Sequence, residues 1–238
     1  MDADGALSEL RRLARPCDLD GMARYGIRSK VILGVRTPDL VALARRIGKD
    51  HRLALALWRT GVYEARHLAV LVDEPDKVTE AQMERWAGDF DNWAICDGTC
   101  LHLFDRTRFA HGKALEWTAR DEEFVKRAGF ALMAVLAVHD KEAPDSVFLA
   151  WLPVMAREST DERPYVRKAV NWALRQVGKR NLRLNKAAVA TALRISRKDS
   201  KAARWVAADA LRELRGEAVQ RRLASRRPAA RPGRRPSS

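Results

Sequence analysis

Residues 124–141, FVKRAGFALMAVLAVHDK, decide the fold class because they form a long, mostly apolar run of helical character. Three acidic residues at positions 121–123 precede the run, where they would face the positive end of a helix dipole. Arg127 interrupts the apolar pattern near its start. No apolar run in the chain approaches the roughly 18 residues of a membrane helix. The segment therefore predicts a long helix that extends to about His139.

The segments on either side of this run also follow the helical period of 3.6 residues, and none shows sustained strand alternation. Thr37 is a predicted N-cap, Thr79 and Gln82 fit a capping box, and Asp91 or Asn92 can cap the helix that follows them. Predicted helices cover a segment around residues 7–13, then residues 38–49, 51–59, 64–72, 79–86, 93–104, 121–139, 144–157, 164–179, 184–195 and 200–215.

About a dozen such helices, joined by short polar connections, predict an all-α protein. Helix pairs at this spacing resemble divergent repeats of about 40 residues, which would build a curved solenoid with a concave face. The alternative is an ordinary compact helical domain. We predict one domain over residues 1–215 and a disordered tail over residues 216–238, because residues 226–238 contain five Arg, three Pro and no acid.

The charge of the chain favours a polyanionic partner. The 238 residues include 45 Lys and Arg against 31 Asp and Glu, a net charge of +14. Removing the five Arg of residues 226–238 leaves +9 on the body, which fits nucleic acid or, alternatively, a solubilising surface. The N-terminus has no secretory pattern, and three Cys are too few and odd for a disulfide framework. We therefore expect a cytoplasmic protein that associates with the nucleoid when bound to DNA.

The most unusual segment for chemistry is residues 90–100, FDNWAICDGTC. Trp93 and Asp97 are four residues apart, so on a helix they share a face. Helix interiors disfavour Asp, and Gly98 next to it allows close approach of another backbone or a ligand. Asp97 is therefore either a hydrogen-bonding group of the core or an exposed anion in a cleft.

Two further segments carry candidate contacts for phosphate. Arg127 either points to solvent on the polar side of its helix or reaches a phosphate. In residues 165–181, Lys168, Trp172, Arg175 and Lys179 fall near one helical stripe. A Trp on a basic stripe is typical of an aromatic contact to nucleic acid, although single surface charges more often have no such role.

Other chemistry has weaker support in the sequence. Cys96, Cys100 and His102 lie close together, but no second Cys/His pair has metal-ligand spacing, so we expect buried thiols and no metal. Neither a P-loop nor a dinucleotide fingerprint occurs, which argues against a nucleotide cofactor. Three other tryptophans are expected to belong to the core: Trp58, Trp151 and Trp205.

Four strings carry a specific resemblance: DFDNWAICD, FVKRAGFALMAVLAVHDK, VRKAVNWALRQVGKRN and ARWVAADALREL. In this order they resemble the DNA alkylation repair family of alkylpurine DNA glycosylases (AlkD-like), from about Gly21 to Leu214. The resemblance implies HEAT-like helical repeats that form a curved solenoid with a concave basic groove for duplex DNA. It also implies excision of cationic N3- and N7-alkylated purines, such as 3-methyladenine and 7-methylguanine.

The resemblance assigns roles to individual residues. It implies that Asp97 is the catalytic carboxylate, that Trp93 and Trp172 are active-site aromatics, and that Arg127 is a groove arginine. Lys168, Arg175 and Lys179 remain candidate DNA contacts. An alkylated purine is already cationic and leaves without prior protonation, so one carboxylate that stabilises an oxocarbenium-like sugar would suffice.

The family resemblance further implies that the lesion is recognised without a base-binding pocket. We expect a monomer that needs no cofactor, metal or membrane and binds double-stranded DNA with alkylated purines. The alternative function is a non-catalytic HEAT-repeat protein that binds damaged or distorted DNA.

Overall fold

The computed structural model of the chain describes residues 1–225, and the backbone within that range is helical almost throughout. An isolated parallel bridge between Val31 and Val62 is the β-pairing found in it. The helices are α1 (Ala3–Arg12), α2 (Leu19–Arg24), α3 (Thr37–Ile47), α4 (His51–Arg59), α5 (Tyr63–Val72), α6 (Glu80–Gly88), α7 (Trp93–His102), α8 (Ala110–Glu116), α9 (Glu123–His139), α10 (Asp145–Glu158), α11 (Pro164–Gly178), α12 (Leu182–Ile195), α13 (Lys201–Leu214) and α14 (Glu217–Ser225). The predicted all-α class is confirmed.

The helices are arranged as a row with a second layer behind it. Helices α5, α7, α9, α11 and α13 form the row, in which each helix packs against the next. Helices α4, α8, α10 and α12 pack against members of this row, and α10 also packs against α12. Consecutive helices therefore alternate between two layers over most of the chain, which is the arrangement of a helical repeat fold.

Helix α9 is the centre of the row, and its sequence explains that position. It packs against α7 and α11 on its two sides and against α8 behind, so most of its residues from Val125 to Ala137 are buried. A helix that is apolar nearly all round needs such a surrounding. Gly129 allows the turn that follows α8 to pack closely against α9, since a Cβ at Gly129 would lie 2.7 Å from the backbone nitrogen of Thr118. The long helix predicted from residues 121–139 is thus confirmed, within two residues at its start.

The predicted caps are confirmed in part. The Asn92 side chain, rather than that of Asp91, accepts hydrogen bonds from the backbone at the start of α7. Thr79 caps α6 as predicted, but the side-chain amide of Gln82 donates to buried Asp73 instead of closing the capping box. Thr37 is already the first residue of α3 and makes no side-chain cap.

The predicted start of the tail at residue 216 was too early. Residues Glu217–Ser225 form α14, and its Leu223 is buried, because its apolar positions still meet the end of α13. The remaining Arg/Pro-rich residues of the predicted tail, 226–238, lie outside the described part of the chain. Within residues 1–225, no helix has both the length and the apolar character needed to cross a bilayer.

Candidate active site

Helix α7 presents Trp93 and Asp97 on one face, in the row between α5 and α9. Asn92 fixes the first turn of the helix by accepting hydrogen bonds from the nitrogens of Ala94 and Ile95, at 3.0 and 3.2 Å. The indole Nε1 of Trp93 donates to the carbonyl oxygen of Tyr25 at 2.8 Å. The sequence prediction that Trp93 and Asp97 share a face therefore agrees with the helix, and Trp93 is held at its polar edge.

Asp97 forms a two-pronged ion pair with Arg127 of α9. The guanidinium Nε donates to Oδ1 at 2.8 Å and Nη2 donates to Oδ2 at 2.6 Å. The third nitrogen, Nη1, donates to the carbonyl oxygen of Tyr165 at 2.6 Å. Paired N–H donors of this kind fix the orientation of a carboxylate as well as its position.

The ion pair is largely enclosed, although its carboxylate keeps contact with solvent. The Asp97 side chain is 19% exposed, whereas that of Arg127 is 7% exposed. Asp97 is thus neither of the two extremes considered from the sequence, because it is a paired group at the edge of the core. Three of the five N–H groups of Arg127 are directed at Asp97 and Tyr165, so the structure places this side chain in the ion pair; its contact with DNA stays a prediction.

The surroundings act on the pKa of Asp97 in opposite directions. Burial raises the pKa above its ordinary value, and the Arg127 guanidinium acts against that rise. Burial also acts to lower the pKa of Arg127, but Asp97 outweighs it and the pKa lies above the ordinary value. Each group of the pair therefore favours the charged form of the other.

A cleft of about 640 Å³ lies beside this ion pair. Its walls include Tyr25, Phe124, Tyr165 and Lys168. Asp97 does not line the cleft, but its partner Arg127 donates to the carbonyl oxygen of Tyr165 in the wall. The rings of Phe124 and Tyr165 are 5.3 Å apart. Gly26 has a φ of 76°, and a Cβ there would lie 2.3 Å from the hydroxyl of Tyr165. The tight turn at Gly26 therefore allows the α2 segment to close over the edge of α11.

The sequence analysis missed the residues of this wall. Tyr25 and Tyr165 are separated from Asp97 by 72 and 68 positions along the chain. Ser29 donates to Asp91 at 2.6 Å, and the Asn92 amide donates to the Arg28 carbonyl at 3.4 Å, so the turn is tied to the start of α7. Such contacts leave no local pattern. Gly26, within residues 24–28 (RYGIR), was the one available signal of a turn.

The stripe on α11 is divided between two environments. Lys168 is exposed and lines the cleft, and Trp172, one turn further on, is half-buried against the core. Arg175 pairs with Glu213 of α13, and Lys179 donates to the same carboxylate at 2.6 Å. Of the predicted site residues, Lys168 lines the cleft, whereas Trp93 and Arg127 adjoin it through hydrogen bonds to the carbonyl oxygens of Tyr25 and Tyr165 in its wall. The structure gives Arg175 and Lys179 a partner within the chain.

The thiols next to Asp97 belong to the core. Cys96 Sγ lies 3.4 Å from the carbonyl oxygen of Phe124, and Cys100 Sγ lies 3.7 Å from that of Ala128. Burial raises the pKa of the Cys96 thiol well above its ordinary value, so it stays protonated. No group of three or more metal-ligand side chains comes together among residues 1–225.

Among the tryptophans assigned to the core from sequence, Trp58 and Trp151 are buried as predicted, with 3% and 1% exposure. Trp205 is different, because 40% of it is exposed. The assignment of Trp205 to the core was therefore wrong.

Comparison with known proteins gives a consistent picture. The family described as DNA alkylation repair enzyme matches residues 6–214, starting earlier than the resemblance recognised from sequence motifs. A solved structure described as "a new family of proteins related to the HEAT-like repeat DNA glycosylases with affinity for branched DNA structures" superposes with a TM-score of 0.79. It is 20% identical, over 94% of this chain and 96% of that one, and shows the HEAT-like fold. No curated protein matches the sequence.

Proposed function

This chain belongs to the DNA alkylation repair enzyme family, and we propose that it hydrolyses the N-glycosidic bond of N3- and N7-alkylated purines in duplex DNA. The observation that carries the proposal is the Asp97 carboxylate, held by Arg127 one turn after Trp93 and next to the Tyr165 wall of an open cleft. A fixed anion with partial solvent access, next to an aromatic face, suits the stabilisation of a cationic sugar.

The chemistry requires little from the protein at the leaving base. A purine alkylated at N3 or N7 carries a formal positive charge, so it leaves as a neutral base without proton transfer. As the C1′–N bond lengthens, positive charge builds up on the deoxyribose. In this proposal the Asp97 anion stabilises that charge and orients the water that attacks C1′. The bond between C1′ and the water oxygen forms while the released proton passes to solvent or to Asp97.

Arg127 acts here as a positioning residue. It occupies one hydrogen-bonding direction on each carboxylate oxygen of Asp97, which leaves the other directions available to water or the sugar. Its charge reduces the field of the anion, but it also counters the protonation that burial favours. Burial keeps the pKa of Asp97 above its ordinary value, and Arg127 limits that rise while it holds the carboxylate in a partly enclosed position.

Aromatic faces would add to the stabilisation of the sugar. Trp93 lies one turn before Asp97, and Trp172 lies on α11, two turns beyond the Tyr165 wall of the cleft. A cation over such a ring is stabilised by about 0.5–2 kcal/mol. Both tryptophans are half-buried, and the indole of Trp93 is held by its hydrogen bond to the Tyr25 carbonyl oxygen.

Binding to DNA would rest on the backbone phosphates. Lys168, Arg24 and Arg28 are exposed at the cleft, and within residues 1–225 none of them pairs with a carboxylate. Contacts of this kind provide affinity and salt dependence but read little sequence. Selectivity would then come from the lability of the lesion and from easier distortion of the DNA around it.

A second candidate is a non-catalytic protein that binds damaged or distorted DNA. It is favoured by the superposed structure, whose description mentions affinity for branched DNA. In that case the Asp97–Arg127 pair would be a structural tie between α7 and α9, and DNA binding would persist without base release.

The deciding experiment is chromatography of bases released from methylated duplex DNA. Wild-type protein is expected to release 7-methylguanine or 3-methyladenine above the spontaneous rate, and Asp97→Asn should lower that rate by about 10²–10³ while DNA binding is kept. Asp76→Asn, an exposed carboxylate on a short turn, is the matched control and should leave the rate unchanged. Binding of methylated duplex without base release by wild type would refute the glycosylase proposal and favour the second candidate.

A further inference from the structure

Trp205 is an exposed aromatic side chain on α13 with a cation over its ring. The Arg167 guanidinium carbon lies 4.9 Å from the ring centroid, and 40% of the Trp205 residue is accessible to solvent. Large aromatic residues are highly buried on average, and no other tryptophan within residues 1–225 is exposed. The pair of Trp205 and Arg167 is called the stacking pair below.

The charge of Arg167 is not balanced by an acidic partner. No ion pair within residues 1–225 involves Arg167, and its buried Nε has no hydrogen-bond partner. Lys168, the next residue on α11, and Lys201, one turn before Trp205 on α13, are exposed and also make no ion pair in that part of the chain. Arg167 thus lies over the exposed ring, and two more cations without carboxylate partners are its chain neighbour on α11 and the residue one turn before Trp205 on α13. Positive charge of this kind attracts phosphate.

The stacking pair lies on the same face of the row as the candidate active site. The Asn171 amide donates to the Val206 carbonyl at 3.0 Å, which fixes the α11 side that faces α13. Arg167 lies one turn before Asn171 on that side, while the ring of Tyr165 contacts Phe124 of α9. Lys168 lies between these two sides, on the exposed ridge of α11. Adjacent packed helices are about 8–10 Å apart. The stacking pair and the cleft are therefore separated by about one helix spacing.

We propose that Trp205 and Arg167 form a stacking site for an unpaired DNA base, with Lys168 and Lys201 holding the flanking phosphates. Every base has a flat face that can stack on an aromatic ring, whereas a paired base within a duplex does not expose that face. The site therefore favours duplex DNA that carries a single-stranded arm at one end of the footprint. The inference rests on the proposed function only in taking DNA as the ligand.

The test uses full-length protein and three labelled DNAs: a plain duplex, the same duplex with a single-stranded arm, and that armed duplex with 2-aminopurine in the arm. Wild type is expected to bind the armed duplex more tightly and to quench the 2-aminopurine by stacking. Trp205→Ala should weaken binding of the armed duplex about tenfold, leave binding of the plain duplex within twofold, and abolish the quenching.

Matched variants separate stacking from folding. Trp205→Phe keeps an aromatic face and should retain most of the preference and quenching, whereas Arg167→Met should lose part of both. Leu182→Ala, an exposed apolar residue on α12, is the control and should behave as wild type. Equal weakening of both DNAs by Trp205→Ala, or unchanged quenching, would overturn the stacking site.

The outcome is separable from that of the glycosylase proposal. If wild type releases no base but the preference for the arm depends on Trp205, the stacking site stands and the proposed activity fails. If base release depends on Asp97 while Trp205→Ala leaves the preference and the quenching intact, the activity stands and the stacking site fails.

Discussion

Asp97→Asn is expected to change stability as well as activity, because the substitution leaves the Arg127 charge without its counter-ion. Arg127 is 7% exposed and directs two N–H groups at the two carboxylate oxygens. Asn accepts at one oxygen only, and its amide group faces the other donor. Breaking one partner of a buried ion pair costs about 3–5 kcal/mol, and we expect the lower end because Asp97 retains 19% exposure.

A second substitution tests whether that loss comes from the stranded charge. Arg127→Met removes the charge and keeps a long apolar side chain in the space between α9 and α11. In the double variant Asp97→Asn/Arg127→Met, no buried charge remains unpaired. The double variant should therefore be more stable than the sum of the two single losses predicts, by about 1–3 kcal/mol. Its base release should stay as low as that of Asp97→Asn, since the carboxylate is still absent.

The assay is urea unfolding for stability, with base release measured on the same preparations. Additive losses of stability would show that the pair is not energetically coupled and would refute the argument for a stranded charge. Recovery of base release in the double variant would refute the catalytic role of the carboxylate. Asp76→Asn again serves as the control, with both quantities unchanged.

The pH dependence of base release follows from the same pair. In the proposed mechanism the anion of Asp97 is the active form. Burial raises its pKa, so activity should fall as the pH decreases through a value above that of an ordinary Asp. Arg127 acts to lower this pKa. Arg127→Met alone should therefore raise the pKa further and move the acid limb of the profile to higher pH. An acid limb that moves to lower pH, or one that is unchanged, would contradict this assignment.

Three further predictions concern stability and DNA binding. Burial lowers the pKa of His67 to about 4. As the pH decreases, the unfolded state therefore binds a proton at this residue before the folded state does, and the free energy of unfolding should fall by about 3 kcal/mol from pH 6.5 to 4. In urea titrations, His67→Gln should remove most of this pH dependence. Gly26→Ala should cost about 1–2 kcal/mol through its positive φ, and adding Tyr165→Phe, which removes the overlapping hydroxyl, should recover part of any further loss in thermal unfolding. Lys168→Ala should reduce the slope of log K against log salt for duplex DNA by about 0.9, whereas Arg175→Gln should leave that slope unchanged because Arg175 is paired within the chain.

The helical elements were accessible from the sequence because their signals are local. Asn92 and Thr79 cap helices whose apolar residues recur at the helical period, and each cap acts within three positions of its own chain neighbours. The short helices α2 and α8, of six and seven residues, were missed because they have too few turns to show that period. The shared face of Trp93 and Asp97 also followed from spacing alone.

What the side chains do at the site depended on contacts between distant segments. From sequence, Arg127 was a candidate groove cation, but α7 and α9 lie side by side and place it against Asp97, thirty residues away. Arg175 belonged to a basic stripe until α13 brought Glu213 beside it. Trp205 looked like a core residue until the packing of α13 left it exposed.

The amino-acid sequence by itself determined the helices, their order and the residue types available for chemistry, because propensity, capping and periodicity act over a few neighbouring residues. The tertiary structure alone decided which charges are paired, which are open to solvent, and which aromatic rings are exposed. Those properties depend on the distance between side chains on different helices, and pairing across tens of residues leaves no periodic trace in the sequence.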